Sequence, residues 1–315
     1  MLISVILVSY NTAQMTIDAL QHLYASKGNF ELEVIVVDNA SRDNSVDLIR
    51  HTFPQVKLLV NTANVGFGRA NNQAIPLING DYVLLLNTDA FIKTDTIDKT
   101  VAYMNFHPRT GVLGVRLVGR DGELQPSCRY FPTVMNLFLQ RAGLSRFFSN
   151  VKYVDDMDWD HATARACDWV PGCYYLIRKE VIEQVGLFDE RYFLYNEEVD
   201  HCKSTKKAGW DVVFYPDTEV IHIGGESAKS DGKISQVSRQ LVALQVESEF
   251  LYFRKNHGIF AVLQHLFMQI IADIILIIKA ISRVRPLQVL RQHLQHLALL
   301  TKSAYATRLG HQGTK

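Results

Sequence analysis

The fold is decided by LISVILVSYN, Leu2 to Asn11. Leu2–Ser9 is an apolar run rich in β-branched residues, and Tyr10-Asn11-Thr12 follow without a glycine. Such a run reads as a buried strand that opens into a polar loop. Ala13–Ser26 then carries Met15, Ala19, Leu20 and Leu23 at helical spacing. The same alternation recurs. Glu33–Asp38, Val56–Asn61 and Tyr82–Asn87 read as strands. Between them, Ser45–Phe53, with Asn44 as its N-cap, and a segment from about Phe67 to Ile78 read as helices. Strands apolar on both faces and separated by helices predict an α/β fold with a Rossmann-like, mostly parallel central sheet flanked by helices. Beyond Gly111 the pattern is mixed. Val112–Val118, Cys167–Arg178 and Asp211–Ile223 read as further strands, and from Ser235 onward nearly everything reads as helix.

In an open parallel sheet, ligands bind beyond the carboxyl ends of the strands. Four polar loops occupy that place: Ser9–Thr12, Asp38–Ser41, Asn64–Asn72 and Asn87–Asp89. A dinucleotide-binding domain would put GxGxxG after its first strand. Here that position holds Tyr10-Asn11-Thr12, and Gly66 and Gly68 come only after the third strand, which argues against NAD. The four cysteines form no CxxC pair, so a zinc ribbon or thioredoxin motif is excluded. An apolar strand pattern from Leu2 without a basic leader leads to the expectation of a cytoplasmic chain with reduced thiols.

The net charge of +1 conceals an asymmetry. Residues 250–315 hold nine Lys/Arg and one acid, Asp273, whereas the preceding residues carry 24 basic and 31 acidic side chains. A basic tail with its own partner is expected.

In sequence order, SVILVSYN, VIVVDNASRD, NVGFGRANN, LLLNTDA, WVPGCYYLIRKE, FLYNEEVDHC and VIHIGGES resemble an inverting family-two glycosyltransferase with the GT-A fold, over roughly residues 3–258. The rhamnosyltransferase-like subgroup is the nearest. The resemblance implies residues 1–256 as the transferase domain (1–120 binding the nucleotide-sugar, 121–256 the acceptor). Residues 257–315 would then be an amphipathic basic helical tail.

The resemblance also assigns residues. Asn87-Thr88-Asp89 stands where the family has DxD. Asp89 would bind a divalent cation, Mn²⁺ or Mg²⁺, while Asn87 adds no charge; a strand-end turn would also explain the triplet. His222 would be the second protein ligand, although a lone histidine at a strand end is commonly just hydrogen-bonded. Asp38 would contact the nucleotide base, or else close an Asx-turn to Ser41. Ser9, Tyr10, Asn11, Asn64, Gly66, Arg69 and Thr88 would complete the donor pocket, with Gly66–Arg69 at a helix N-terminus suited to anions. The glycines there would serve a tight turn equally well.

Glu197, Glu198 and Asp200 crowd one helix start, which Asn196 can cap and the helix dipole favours. The family's acidic pair aligns with Glu197-Glu198. Its second member makes Glu198 the catalytic base, with Glu197 orienting acceptor or loop. Trp169, Gly172 and Asp200 are acceptor-side candidates, although a buried aromatic is more often core. The implied reaction moves a sugar, L-rhamnose at best, from a nucleotide-sugar donor to a saccharide or lipid-linked acceptor. Other donors (UDP-hexose, UDP-galactofuranose) stay open, as does a non-catalytic sugar-nucleotide-binding protein, and no nucleic acid is involved.

In the tail, Phe260, Leu263, Phe267, Ile270, Ile271, Ile274, Ile277, Ile278 and Ile281 recur at helical spacing, with Gln264, His265, Gln269 and Asp273 opposite. This stripe predicts peripheral contact with an anionic membrane on the cytoplasmic face, or packing on protein, including a homodimer through the C-terminal helices.

Overall fold

The computed structural model describes residues 1–224 and 234–315. Gly225, Glu226 and Ser227, the end of HIGGES, lie outside the described residues. The chain forms two compact units: Met1–Arg129, Met157–Glu190 and Glu197–Val237 make the first, and Tyr130–Asp156, Arg191–Asn196 and Ser238–Lys315 the second.

The first unit is built on a mixed ten-stranded sheet. In chain order its elements are β1 (Leu2–Ser9), α1 (Ala13–Tyr24), β2 (Glu31–Asp38), α2 (Ser45–Thr52), β3 (Lys57–Val60), α3 (Phe67–Ala74), β4 (Tyr82–Leu86), β5 (Ala90–Phe91), α4 (Thr96–Phe106), β6 (Thr110–Val118) and β7 (Leu124–Gln125). After α5 (Val134–Arg141), which belongs to the second unit, come β8 (Arg165–Ala166), β9 (Tyr174–Arg178), α6 (Lys179–Val185), α7 (Glu197–Lys207) and β10 (Asp211–His222). The main path runs β3-β2-β1-β4-β9-β6-β10-β5. β1 to β4 are mutually parallel, as their two-sided apolar pattern predicts. β5, β7, β8 and β9 pair antiparallel.

Register puts the chemistry at one edge. Ser9 pairs with Asp38, and Asp38 with Val60, so three loops leave the sheet at one level. β9 inserts between β4 and β6, and its Leu86–Tyr174 pairing sets Cys173 beside Asn87. His222 pairs with Ala90, next to Asp89. Val5, Leu7, Val36, Leu84 and Leu86 pack with Ile17, Leu20 and Leu23 of α1 in the core beneath.

Two local expectations are corrected. Of Cys167–Arg178, only Tyr174–Arg178 is strand: Pro171-Gly172 interrupt it, and Trp169 makes an isolated antiparallel bridge to Arg129. Asn44 precedes α2 without a side-chain cap bond. Asp43 takes the cap instead, since its Oδ1 accepts from Ser45 N (3.1 Å) and Ser45 Oγ (2.5 Å).

The second unit contains α5, α8 (Ile234–Ser282, kinked where Gly258 has φ 82°) and α9 (Leu287–Ala306). Thr133 and Asn136 close a capping box on α5. The tail's polar side is turned inward except for the exposed Gln264. His265, Gln269 and Asp273 are buried. Asp273 accepts from Arg141 Nη2 and His296 Nδ1, both at 2.6 Å, and His293 Nδ1 lies 3.6 Å away. Burial alone would raise the Asp273 pKa, but the His296 and Arg141 hydrogen bonds outweigh it and hold the carboxyl low. His265 Nε2 pairs with Glu249 at 3.1 Å. At the chain end, Gly310 has φ 76°, and a Cβ there would stand 2.1 Å from the Phe250 carbonyl oxygen. Thr314 N and Oγ1 both donate to the Glu247 carboxylate.

Candidate functional site

The site grows from the loops that β1 to β4 deliver. Asp38 is fully buried; its Oδ1 accepts from Ser41 N at 2.9 Å, the expected turn, but its Oδ2 is buried without a hydrogen-bond partner. An orphaned carboxylate oxygen at a strand end is available to a ligand's N–H or O–H. Asn11 has a left-handed φ of 53°. Its N–H donates to Ser41 Oγ, and its side-chain oxygen accepts from Arg42 N, which fastens the first loop to the second. Tyr10 is half-buried beside it. Asn39, not singled out in the sequence, fastens the second loop to the third. Its Nδ2 donates to Asn64 Oδ1 (3.0 Å) and Gly66 O (3.3 Å), and its Oδ1 accepts from Val65 N and Asn61 Nδ2. Gly66 needs its glycine, with φ 90°. Arg69 Nε donates to Glu190 O at 2.8 Å. The hydroxyls of Ser9 and Thr88 turn inward, to Thr16 Oγ1 (3.0 Å) and Thr12 Oγ1 (3.2 Å). Asn87 remains half-buried at the sheet edge.

Asp89 and His222 meet although 133 positions separate them, with Oδ1 and Nε2 3.6 Å apart. Asp89 Oδ2 accepts from Gly224 N at 3.1 Å. The imidazole is gripped twice by Gln125: His222 Nδ1 lies 2.9 Å from Gln125 Oε1, and Gln125 Nε2 donates to the His222 carbonyl at 2.8 Å. A carbonyl oxygen only accepts, so the amide orientation is fixed and Nδ1 must carry the proton. Burial pushes the His222 pKa down, against the pull of Asp89, and the ring is neutral at neutral pH. The Nε2 lone pair therefore faces a carboxylate with no proton between them. That donor set fits a divalent cation, one nitrogen and one oxygen from the protein and the rest from phosphate or water, and it suits Mn²⁺ in particular. Among the described residues no group of three or more His, Cys, Asp or Glu side chains is placed to hold a metal without such help.

The acidic pair sits at the start of α7, entered through left-handed Tyr195 (φ 72°) and Asn196 (φ 65°). Oε2 of Glu197 and Oε2 of Glu198 are both buried and accept no hydrogen bond. Burial raises both pKa values; Glu198 adds to the rise at Glu197, whereas a backbone N–H hydrogen bond and then Arg129 pull Glu198 back down. Arg129 lies over the ring of buried Trp169 at 4.6 Å. Cys173 links this corner to the metal corner: its thiol is pushed up to about 12 by burial first, then by Asp89, and also by Glu198. Both Asp89 and Glu198 thus act electrostatically on one cysteine of the segment that leads into β9. Gly172 is partly exposed on the same segment, and a Cβ there would stand 3.8 Å from the Phe67 ring. Asp200 is buried one turn along α7. His201 is structural, its Nδ1 2.8 Å from Tyr175 OH and its Nε2 3.1 Å from Gly186 O.

The model of the family described as "Glycosyl transferase family 2" matches residues 4–162. The N-acetylglucosaminyl-diphospho-decaprenol L-rhamnosyltransferase of Mycobacterium tuberculosis is 30% identical over 213 residues, 64% of this chain and 69% of that protein. Rhamnosyltransferase WbbL of Escherichia coli is 25% identical over 178 residues, 52% of this chain and 63% of that protein. Among solved structures, a mannosyltransferase from Pyrobaculum calidifontis, in complex with GDP-Man and Mn²⁺, superposes over 97% of this chain and 86% of that one with a TM-score of 0.56 at 18% identity, a likeness of fold. The family match spans half of the chain and the fold agrees with it: the chain is a glycosyltransferase and belongs to glycosyl transferase family 2.

Proposed function

We propose that the chain is an inverting, metal-dependent glycosyltransferase that moves L-rhamnose from dTDP-rhamnose to a hydroxyl of a lipid-linked saccharide, in building bacterial surface polysaccharide. The carrying observation is the Asp89–His222 pair at 3.6 Å, together with the buried Glu198 Oε2 that accepts no hydrogen bond. The sugar and the lipid carrier rest on the rhamnosyltransferase names of two relatives, one of which acts on a diphospho-decaprenol acceptor. A UDP-hexose or UDP-galactofuranose donor fits the same pocket chemistry, and the donor experiment decides among them. Such an acceptor would place the enzyme on the inner face of the cytoplasmic membrane.

Asp38 receives an N–H of the base or a ribose hydroxyl on Oδ2. Asn11, Asn64 and the α3 N-terminus hold the ribose and diphosphate side. Asp89 and His222 would hold the cation, which supplies positive charge against the diphosphate leaving group. Glu198 accepts the proton of the acceptor hydroxyl as that oxygen attacks the anomeric carbon. The new C–O bond forms as the bond to the diphosphate breaks, the nucleoside diphosphate departs, and one displacement inverts the centre. Glu197 and Arg129 set the charge around Glu198, and Trp169 and Gly172 border the acceptor side.

The test is a panel of sugar nucleotides assayed with Mn²⁺ for hydrolysis and for transfer to a polyprenyl-diphosphate saccharide. dTDP-rhamnose is expected to turn over, and Asp89→Ala to abolish both turnover and Mn²⁺-dependent nucleotide binding in a folded protein. Equal nucleoside diphosphate affinity of wild type and Asp89→Ala in Mn²⁺ would refute the metal assignment.

A further inference from the structure

The half of α8 beyond Gly258 is largely inside out. Three of its polar side chains there are turned inward, with His265 and Asp273 at 0% exposure and Gln269 at 4%, while Gln264 is exposed. Before Gly258 its Phe250, Leu251, Tyr252 and Phe253 are buried, but beyond it bulky apolar residues face away, with Phe260 82% exposed, Phe267 62%, Ile278 60% and Ile281 63%, and Leu263 and Ile274 also exposed. These six positions follow one helical stripe, and from Phe260 to Ile281 it runs about 32 Å. A soluble helix does the reverse, and an apolar face of this length on a monomer marks an interaction surface. The arrangement is fixed rather than incidental. Asp273 ties α8 to Arg141 of α5 and His296 of α9, and Lys279 Nζ donates to the Ala142 carbonyl at 2.7 Å, so α8 cannot roll its apolar side inward without breaking these bonds.

We infer that the second unit seats on an anionic phospholipid bilayer by inserting the outward apolar face of α8 among the acyl chains, in the plane of the membrane. Charge selects this occupant. Residues 279–315 hold seven Lys/Arg and no acid. On α9 the exposed Leu287, Arg291, Leu294, Lys302 and Tyr305 share one stripe, apolar groups interleaved with cations that can reach headgroups. A second copy of the same surface would bring like charges together. α8 is long and apolar enough to cross a membrane. The buried Asp273 knot argues for the in-plane setting, because a spanning helix would carry that ionic cluster at membrane depth.

The inference fits the lipid-linked acceptor proposed above, yet it is read out separately, since vesicle binding needs no sugar nucleotide. Full-length protein is floated with phosphatidylglycerol/phosphatidylcholine vesicles and with phosphatidylcholine alone, at low and high salt. Sugar-nucleotide hydrolysis in solution and thermal melts are followed alongside. The wild type is expected to float with anionic vesicles and to keep part of its binding at high salt. Phe267→Asp with Ile278→Asp, both at exposed positions, should lower the partition coefficient on the order of a hundredfold while melting and hydrolysis stay unchanged. Arg291→Gln with Lys302→Gln should cost about fivefold per residue at low salt only. The inference is overturned if the wild type stays unbound with anionic vesicles at low salt, or if the double aspartate variant floats equally. It is also overturned if sedimentation shows a dimer that this variant dissolves, which would make the face a contact between copies. Loss of hydrolysis with normal flotation would count against the transferase assignment alone.

Discussion

Gln125→Leu isolates the clamp on His222. Leucine nearly fills the glutamine's volume but loses both hydrogen bonds, the 2.9 Å contact to Nδ1 and the 2.8 Å donation to the His222 carbonyl. Each is worth about 0.5–1.5 kcal/mol net, so the pair contributes roughly 1–3 kcal/mol to holding one ring orientation and one tautomer. If all of it appears in metal binding, affinity falls roughly 5- to 150-fold, the scale on which groups behind a metal ligand act. The assay is titration of free Mn²⁺ by electron paramagnetic resonance, with dTDP or UDP present, at a pH where the already depressed His222 is neutral. The apparent Mn²⁺ Kd should rise within that range, and kcat at saturating Mn²⁺ should recover most of its value. Gln125→Glu, which keeps an acceptor for Nδ1–H and loses the donor to the carbonyl, should fall between. An unchanged Mn²⁺ Kd in Gln125→Leu would refute the reasoning, because it would mean His222 is oriented without Gln125 or is no ligand.

Glu198→Gln should keep donor binding and lower turnover by roughly 10²–10⁴-fold; full activity in Glu198→Gln together with loss in Glu197→Gln would move the base by one residue. Because burial raises the Glu198 pKa, the acid limb of wild-type kcat should lie above the ordinary carboxylate range, and Arg129→Gln should shift it further up. Glu197→Gln should stabilise the fold by about 1–2 kcal/mol at neutral pH, measured by chemical denaturation. A raised carboxyl pKa keeps the proton longer in the folded than in the unfolded state, so wild-type stability falls as pH climbs from 4.5 toward the raised value, and the variant's advantage should vanish below 4.5. Asp273→Ala leaves Arg141 and His296 without their buried partner and should cost about 3–5 kcal/mol, seen as a lowered melting transition.

The parallel half of the sheet was legible because its strands are apolar on both faces and end in polar loops; Leu2–Ser9 is read from sequence with the bounds that the structure gives. Asp38, Asp89 and His222 were legible as motif positions, and the structure brings the last two within 3.6 Å. Gln125 was not legible. It lies on a two-residue strand 97 positions before His222, and no local periodicity marks such a partner. The Cys167–Arg178 stretch misled because apolar Trp169 and Val170 prolong the strand signal past Pro171-Gly172, which break it. The tail was legible only in part. Amphipathic spacing finds two faces but not which one meets protein, and only the contacts of Asp273 and His265 show that the polar one does.

Carboxylates buried in the two units separate scaffold from site. In the second unit, Asp273 and Glu249 are held below their ordinary pKa values because arginine or histidine hydrogen bonds outweigh the cost of burial. In the first, Glu197 and Glu198 are held above theirs, and Oε2 of each lacks a partner, as does Oδ2 of Asp38. A fold selected for stability alone would pair these oxygens or replace them with apolar groups, since each orphaned acceptor costs about 1–3 kcal/mol. Their retention at the carboxyl edge of the sheet makes sense when the missing partners arrive from outside: a base or ribose donor at Asp38 and an acceptor hydroxyl at Glu198. The strained entry to α7, with Tyr195 and Asn196 both left-handed, is a second cost borne at the same place. Unpartnered carboxyl oxygens therefore gather on the two segments that carry the proposed chemistry, with backbone strain beside the second, while Asp273 is spent on holding helices together.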